Sequence, residues 1–144
     1  MFLSESHLIP HMWSNYAKDR QGICIAYPIR ELDGKDPRRR YMFPISYDDI
    51  PFNATDDFLA KIRDPHRNNR IALCASMLKK ISWSMEKEWR LISFEGRALK
   101  EKFIEMPKPS CIYLGEEIDK EYEKKVRELA LENSIRIEFV SNLI

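Results

Sequence analysis

The chain has 144 residues, of which 44% are hydrophobic and 33% are charged, a balance typical of one packed globular domain and not of a disordered segment. Lys and Arg number 24 against 23 Asp and Glu, and the formal net charge of +1 excludes a global field that would attract nucleic acid or an anionic membrane surface. Only four glycines are present, spaced too widely for a P-loop or a dinucleotide-binding fingerprint.

The cysteines and apolar segments indicate where the protein acts. Cys24, Cys74 and Cys111 are far apart in sequence, and each is flanked by apolar residues. This is typical of small buried hydrophobic residues in a reducing compartment. No apolar run approaches the roughly 20 residues that cross a bilayer, and the N-terminus lacks the pattern of a signal peptide. We therefore expect a cytoplasmic protein that neither spans a membrane nor binds nucleic acid.

The first half of the chain predicts short elements separated by turns. Pro10 suits the first turn of a helix, and Pro44 places its own strand at an edge or a bulge. In chain order the predicted elements are a short strand at Met1–Ser4, a helix over His11–Ala17, a buried central strand at Ile23–Tyr27, a surface loop over Glu31–Arg40 and a strand at Tyr41–Tyr47.

The middle of the chain predicts two helices followed by two strands. Thr55 is a candidate N-cap, and apolar residues at helical spacing follow Asn69. The predicted elements are helices over Thr55–Ile62 and Asn69–Lys80, a strand at Trp89–Phe94 and a short edge strand at Phe103–Met106.

The C-terminal part predicts a β-α-β unit. Its elements are a strand at Cys111–Leu114, a helix over Asp119–Glu132 and an alternating strand at Ile135–Val140. Such a unit requires a sheet that is at least partly parallel. We therefore expect one α+β or α/β domain over residues 1–144, with a mixed central sheet of five or six strands and three or four helices.

Glu86, Glu88 and Arg90 form the first candidate site. In an extended chain these three residues share one face. Two carboxylates beside a guanidinium can divide the roles of a catalytic acid and an ionised base, or hold a ribose hydroxyl. The alternative interpretation is a solvent-facing strip of ion pairs that stabilises the fold.

A second candidate site lies near the N-terminus, where hydroxyl, carboxylate and aromatic side chains alternate. Such a mixture is typical of a ligand pocket with apolar walls and a few polar groups. In the alternative interpretation Trp13 and Tyr16 are core residues with satisfied polar tips. The candidate ligand-binding residues are Ser4, Glu5, Ser6, Trp13 and Tyr16.

A metal site is not expected. His7 and His11 are four residues apart, but Pro10 falls between them and no Glu adjoins His7 as the zinc-protease pattern requires. No nucleophile, base and orienting acid occur at a known local spacing either.

Several segments resemble the motifs of a known family. Members of that family pair a Met-Trp-Ser-His-Tyr-Ala-like stretch and a Gly-Val-Cys-Ile-like strand with a Tyr-Glu-x-Glu-Trp-Arg-like strand. The corresponding residues here are Glu5, Met12–Ala17, Gly22–Ile25, Trp83 and Glu86–Arg90. In this order they resemble the bacterial family of unknown function numbered 2971.

This chain departs from the family pattern in three respects. Asn15 stands where the family usually has His, and Met85 stands where it usually has an aromatic residue. Family members also begin with a further segment that contains an Asn-Asp-Pro-Phe-Glu-like motif. The resemblance therefore implies that this chain lacks an N-terminal segment of the family fold.

A more distant analogy links the chain to ADP-ribosyltransferases. Those enzymes use a Ser-Thr-Ser-like strand and a Glu-x-Glu-like pair to bind the nicotinamide ribose of NAD. Ser4–Ser6 and Glu86–Glu88 are similar in kind and in chain order. The analogy implies that Glu88 bonds the ribose, that Glu86 orients the acceptor, and that Trp13 or Tyr16 stacks on nicotinamide.

The sequence leaves two function classes open. One is a nucleotide-binding or small-molecule-binding domain, with ADP-ribosyl transfer as its enzymatic version and NAD as the candidate cofactor. The other is a non-catalytic interaction module from a bacterial defence or mobile-element system. Edge strands around Pro44 and Phe103 also make homodimerisation by edge pairing a candidate.

Overall fold

The computed structural model describes residues 1–50, 52–64, 70–92 and 105–140. Its strands are β1 (Phe2–Ser4), β2 (Ile23–Ala26), β3 (Met42–Pro44), β4 (Ser46–Tyr47), β5 (Leu78–Lys79), β6 (Glu88–Leu91), β7 (Cys111–Leu114) and β8 (Arg136–Phe139). Its α-helices are α1 (Pro10–Tyr16), α2 (Pro37–Arg40), α3 (Thr55–Arg63), α4 (Arg70–Ser76) and α5 (Lys120–Glu132), and two 3-10 helices cover Ile29–Glu31 and Ile81–Glu86.

Internal contacts divide the chain into two compact units. The first unit contains the described residues of 1–5 and 41–102, and the second contains those of 6–40 and 103–144. The secondary structure is a mixture of helices and short strands, as the predicted α+β class requires. That the two units belong to a single domain stays a prediction.

The first unit is built on a three-stranded antiparallel sheet in the order β1-β6-β3. Phe2 and Phe43 both pair with Arg90 of the central strand, and Ser4 pairs with Glu88. A separate parallel pair joins β4 to β5, with Ser46 opposite Leu78. The backbone N–H of Ile45, between β3 and β4, donates to the carbonyl of Glu88 at 3.0 Å. These pairings position the polar side chains of β6.

The second unit contains the predicted β-α-β unit, which is confirmed. β7 and β8 are parallel neighbours joined through α5, and β2 pairs antiparallel with β7. Asp119 caps α5 by accepting hydrogen bonds from the N–H groups of Glu121 and Tyr122, at 2.9 and 3.0 Å. The core between helix and sheet consists of Ile112, Leu114, Ile118, Val126 and Ala130, with Ile23, Ile135 and Ile137 packed against it.

The prediction of a central sheet with five or six strands is wrong for the described residues. They form three small sheets of three, three and two strands. Pro44 ends β3, so the predicted strand Tyr41–Tyr47 is divided between two sheets, although β3 is an edge strand as predicted. Ile23–Tyr27 does not form a central strand either, because β2 lies at the edge beside β7 and Ile25 is exposed.

The number and length of the helices also differ from the prediction. The described residues form five α-helices and not three or four, because α2 lies within the predicted loop Glu31–Arg40. Helix α4 ends at Ser76, and Leu78–Lys79 form β5 where a continuing helix was expected. Apolar residues at Met77 and Leu78 suit a helix or a strand equally well, and pairing with β4 decides between them.

Some predictions lie partly or wholly outside the described residues. Only residues 89–92 of the predicted strand Trp89–Phe94 are described, and they confirm a strand as far as Leu91. Of the predicted edge strand Phe103–Met106, only residues 105 and 106 are described, and they form no strand. Homodimerisation stays a prediction.

The three cysteines are free. Cys111 is buried as predicted, and Cys24 is half-buried. Cys74 is exposed, so the prediction that it is buried is wrong.

Gly115 is required by a close backbone approach in the second unit. Lys18, Asp19 and Arg20 are consecutive residues in the left-handed region, with φ of 49, 53 and 67°. Their turn brings the Arg20 carbonyl to the end of β7, where it accepts from Glu117 N–H at 3.1 Å. A Cβ on Gly115 would lie 1.9 Å from the Arg20 carbonyl oxygen, so no larger residue fits unless the backbone moves.

Gly115→Ala should therefore destabilise the protein. We expect the free energy of unfolding to fall by about 1–3 kcal/mol, the usual cost of overpacking. Gly34→Ala is the matched control, because a Cβ there meets nothing within 4 Å, and its effect should stay within about 0.5 kcal/mol. Urea unfolding measures both variants, and equal midpoints would show that the close approach does not constrain the fold.

Candidate functional site

Four charged side chains of the first unit form an ionic cluster: Lys79, Glu86, Glu88 and Arg90. Lys79 Nζ lies 2.5 Å from Glu86 Oε2 and 2.9 Å from Glu88 Oε2. Arg90 Nε donates to Glu88 Oε1 at 2.5 Å, and Arg90 Nη2 to Glu88 Oε2 at 3.3 Å. Each cation thus contacts Glu88, and Lys79 joins the two carboxylates.

Local structure explains how the carboxylates meet. Glu86 ends the 3-10 helix Ile81–Glu86, and Lys87 adopts a left-handed conformation with φ of 45° before β6 begins at Glu88. Within β6, Glu88 and Arg90 are two residues apart and therefore share a face. The Ser4 hydroxyl donates to the Glu86 carbonyl at 2.7 Å, which ties the start of β6 to β1.

Burial makes this cluster energetically demanding. Glu86 is 2% exposed and Glu88 is 5% exposed. Two buried carboxylates are tolerated only where cations and hydrogen bonds compensate them. Lys79 and Arg90 supply that compensation, and the net charge of the cluster is zero. Among the described residues, no buried side-chain nitrogen or oxygen lacks a hydrogen-bond partner.

The cluster shifts the pKa values of its members. Burial by itself raises the pKa of Glu88, but hydrogen bonds and charge from Arg90 and Lys79 outweigh it and hold the pKa below the ordinary value. For Lys79, burial lowers the pKa, but bonds and charge from Glu86 and Glu88 raise it overall. Lys79 is therefore a protonated counter-ion at neutral pH and not a free amine nucleophile.

Aromatic rings flank both cations. Lys79 Nζ lies 5.0 Å from the centre of the Trp83 ring, and the Arg90 guanidinium carbon lies 5.0 Å from the centre of the Phe2 ring. Both distances are within the range of cation–π attraction. The Tyr47 hydroxyl oxygen accepts a hydrogen bond from Glu88 N–H at 2.7 Å. Aromatic and hydroxyl groups thus surround the charges on several sides.

An open groove adjoins the ionic cluster where β1 begins and β6 ends. Its volume is about 420 Å³, within the range of small-molecule sites. Among the described residues that line it, Arg90 has the only charged side chain. The N-terminal ammonium of Met1 also belongs to the lining and donates to the Leu91 carbonyl at 3.4 Å. We call it the Arg90 groove, and it is lined by Met1, Phe2, Ser76, Arg90, Leu91 and Ile92.

The structure brings some of the predicted site residues together. Glu86, Glu88 and Arg90 meet in the cluster, and Ser4 is bonded to it. Glu5 accepts a hydrogen bond from the Trp89 indole at 2.9 Å, and Trp89 alternates with Glu88 and Arg90 along β6. Their catalytic or ligand-binding roles stay predictions.

Ser6, Trp13 and Tyr16 belong to the second unit. Trp13 is 3% exposed, and its indole N–H donates to the His7 carbonyl at 2.7 Å, which is typical of a core tryptophan. Tyr16 is 62% exposed. Ser6 Oγ accepts from Leu8 N–H at 3.0 Å. A cavity common to these residues and the ionic cluster stays a prediction.

The sequence patterns did not indicate Lys79, the residue that joins the two carboxylates. It fell at the end of a predicted helix, where a lysine is ordinarily solvated. The available signal was indirect, because two glutamates on one buried face require a cation from another element. Only the pairing of β5 with β4 places Lys79 there.

No metal site is found within the described residues, where no group of three or more His, Cys, Asp or Glu is suitably placed. The His7 ring stacks on Tyr113, with ring centres 3.7 Å apart. The Asn15 amide donates to the His11 ring at 2.8 Å. The two histidines thus have separate partners. None of the helices in the described ranges has the length and apolarity to cross a bilayer.

Lys79→Met should be strongly destabilising, because it leaves two buried carboxylates without their shared cation. We expect a loss of about 3–5 kcal/mol in the free energy of unfolding. Lys125→Met removes the exposed pair with Glu121 and should cost at most about 0.5 kcal/mol. Adding Glu86→Gln to Lys79→Met should recover part of the loss. Urea unfolding measures all three, and a mild effect of Lys79→Met would contradict this role.

The pH dependence of stability should report Glu88. Its folded pKa lies below the ordinary 4.5, so its contribution is present above that value and is lost as the pH falls through the folded pKa. Lys79, with a raised pKa, contributes fully below 10.5 and loses its contribution as the pH rises through the folded pKa.

Glu88→Gln removes the acid titration. As the pH is lowered from about 5, its free energy of unfolding should fall less steeply than that of the wild type. Glu121→Gln, at an exposed position, should keep the wild-type slope. Urea unfolding at a series of pH values gives the slopes, and identical slopes for Glu88→Gln and wild type would show that Glu88 has an ordinary pKa.

Comparison with known proteins identifies the family. Searches of curated proteins and of solved structures give no significant match. A family model with the description "Protein of unknown function (DUF2971)" matches residues 12–91, more than half of the chain. The match extends from α1 to the end of β6 and includes all four residues of the ionic cluster. This confirms the resemblance seen in the sequence motifs, and the chain belongs to the DUF2971 family.

Proposed function

We propose that this protein is a small-molecule-binding domain whose ligand occupies the Arg90 groove, with nucleotides among the candidate ligands. The observation that carries the proposal is the groove itself, an open volume of about 420 Å³ whose described lining combines apolar walls with the Arg90 guanidinium and the Met1 ammonium. A ligand site usually has apolar walls and a small number of polar groups. The three free cysteines support the proposal that the protein acts in a reducing, cytoplasmic compartment.

Arg90 retains hydrogen-bonding capacity for a ligand. A guanidinium has five N–H donors. Within the described part of the chain, Nε and one N–H of Nη2 bind Glu88, and one N–H of Nη1 binds the Ser76 carbonyl. One N–H on Nη1 and one on Nη2 are left, and the side chain is 19% exposed. Contacts with protein hold the guanidinium in place, so little further ordering is needed when a ligand binds.

The enzymatic version of this proposal is glycosyl transfer from NAD. An ionised Glu88 is suited to stabilise a cationic sugar carbon, and its lowered pKa keeps it ionised at neutral pH. However, Glu88 is 5% exposed and both of its oxygens are bonded to cations. Direct contact with a ribose would require the ionic cluster to open. The geometry therefore supports binding more strongly than catalysis.

A second candidate function is a non-catalytic interaction module. Helix α3 has no buried residue, and Phe58, Leu59 and Ile62 are 62, 44 and 63% exposed. Contiguous exposed apolar side chains are typical of interaction surfaces. The neutral ionic cluster also suits a purely structural role.

Phe2→Ala tests the binding proposal without disturbing the core, because Phe2 is 71% exposed. In thermal-shift and calorimetric titrations with NAD, AMP and ADP, we expect at least one ligand to bind wild type and to bind Phe2→Ala at least about tenfold more weakly, since the exposed ring contributes apolar contact. A ligand at 100 times its Kd adds about 2.7 kcal/mol of stability, which a thermal shift detects.

Phe58→Ala is the matched control, because Phe58 is also a largely exposed phenylalanine and is not among the lining residues of the Arg90 groove, and this variant should bind like wild type. Release of nicotinamide from NAD that is abolished in Glu88→Gln would support the transferase version. If no small molecule binds wild type, the binding proposal is wrong and the interaction module is favoured. Equal losses in both Phe variants would show that the ligand binds elsewhere.

A further inference from the structure

Strand β8 lies at one edge of the sheet in the second unit, where β7 is the central strand. Val140 N–H donates to the Leu114 carbonyl at 2.9 Å, so the N–H of Val140 faces β7. Backbone groups alternate in direction along a strand. Those of Glu138 therefore also face β7, and the N–H and C=O groups of Ile137 and Phe139 face away from it. Within the described ranges these outward groups have no hydrogen-bond partner.

The sequence of β8 does little to prevent pairing with another strand. Proteins commonly protect a sheet edge with Pro, Lys or a bulge. β8 contains neither Pro nor Lys, and its four residues pair with β7 in an unbroken register. Its two charged residues have opposite signs, so they attract a strand with the same pattern.

The charges of β8 are complementary to those of a second copy. Arg136 and Glu138 point to the sheet face opposite α5, with side chains 64 and 44% exposed, and lie 3.3 Å apart. When two β8 strands run antiparallel with both Ile137 residues at a two-fold axis, Arg136 of each copy lies opposite Glu138 of the other. The Ile137 residues exchange two backbone hydrogen bonds. The charged residues then occupy non-hydrogen-bonded positions, where Cα atoms approach to about 4.5 Å and opposite charges are favourable.

Exposed apolar side chains flank the same edge on the side of α5. Phe139 is 44% exposed, and the Arg127 guanidinium carbon lies 5.2 Å from the centre of its ring. Leu131 follows Arg127 by four residues, so it lies on the same side of α5, and it is 82% exposed. Antiparallel pairing about a two-fold axis places both α5 helices on one face of the joined sheet. Pairing therefore removes apolar surface around Phe139 and Leu131 from water.

From the outward backbone groups, the complementary charges and the exposed apolar side chains, we infer that β8 docks on β8 of a second copy of this chain, antiparallel and centred on Ile137. The two three-stranded sheets then form one sheet of six strands. Stable specific interfaces bury about 1,200 Å² or more, and β8 is short, so the dimer should be weak and depend on concentration. The inference is independent of the Arg90 groove and concerns a different edge from the one predicted around Pro44.

Charge reversal tests the register. Sedimentation velocity of the wild type should show a monomer–dimer equilibrium between about 10 μM and 1 mM. Arg136→Glu and Glu138→Arg each place like charges opposite one another and should weaken the dimer at least tenfold. The double variant, and an equimolar mixture of the two single variants, restore opposite charges and should dimerise like wild type. Lys125→Glu and Glu121→Arg are the matched controls, because they reverse exposed charges on the side of α5 away from Arg127.

Hydrogen exchange gives a second measurement at the axis. The Ile137 amide should exchange more slowly as the protein concentration rises, whereas exchange of the Glu138 amide, which faces β7, should not change. A wild type that stays monomeric at about 1 mM would overturn the inference. A dimer that neither single reversal weakens, or that the double variant does not restore, would show that another surface mediates association and would also overturn it.

Discussion

Burial of two carboxylates around a single lysine is the interaction on which the first unit depends. Glu86 and Glu88 are nearly inaccessible to water, and the cost of removing them from water is offset only if cations lie within bonding distance. Lys79 reaches both carboxylates, so β5 must lie beside the start of β6. Arg90 completes the compensation and at the same time reaches the surface. A structural requirement thus leaves one guanidinium partly available to a ligand.

This arrangement explains why a structural and a binding role are compatible at the same residues. The interior contacts of Arg90 fix its orientation, and the donors that remain lie beside an open groove. A preorganised group binds with less entropic loss than a flexible one. The family match covers the whole cluster, which lies within residues 12–91.

The second unit is stabilised mainly by an apolar core. This core lies where α5 packs on β7 and β8. Asp119 caps the N-terminus of α5. The one demanding feature is the left-handed turn at Lys18–Arg20, which approaches the backbone at Gly115 too closely for a Cβ. No charged side chain is buried among the described residues of this unit, and hydrophobic burial and backbone packing account for it.

The sequence alone determined the features that depend on neighbours along the chain. Periodicity predicted the β-α-β unit, Pro10 predicted the start of α1, and two-residue alternation placed Glu88 and Arg90 on one face. The tertiary structure decided what depends on pairing between distant residues. The division into small sheets, the conversion of Leu78–Lys79 from helix to strand and the meeting of Lys79 with Glu86 all require strand pairs between segments far apart in sequence. Local preference is weak compared with burial and pairing, so it cannot specify which distant partner an apolar or charged residue finds.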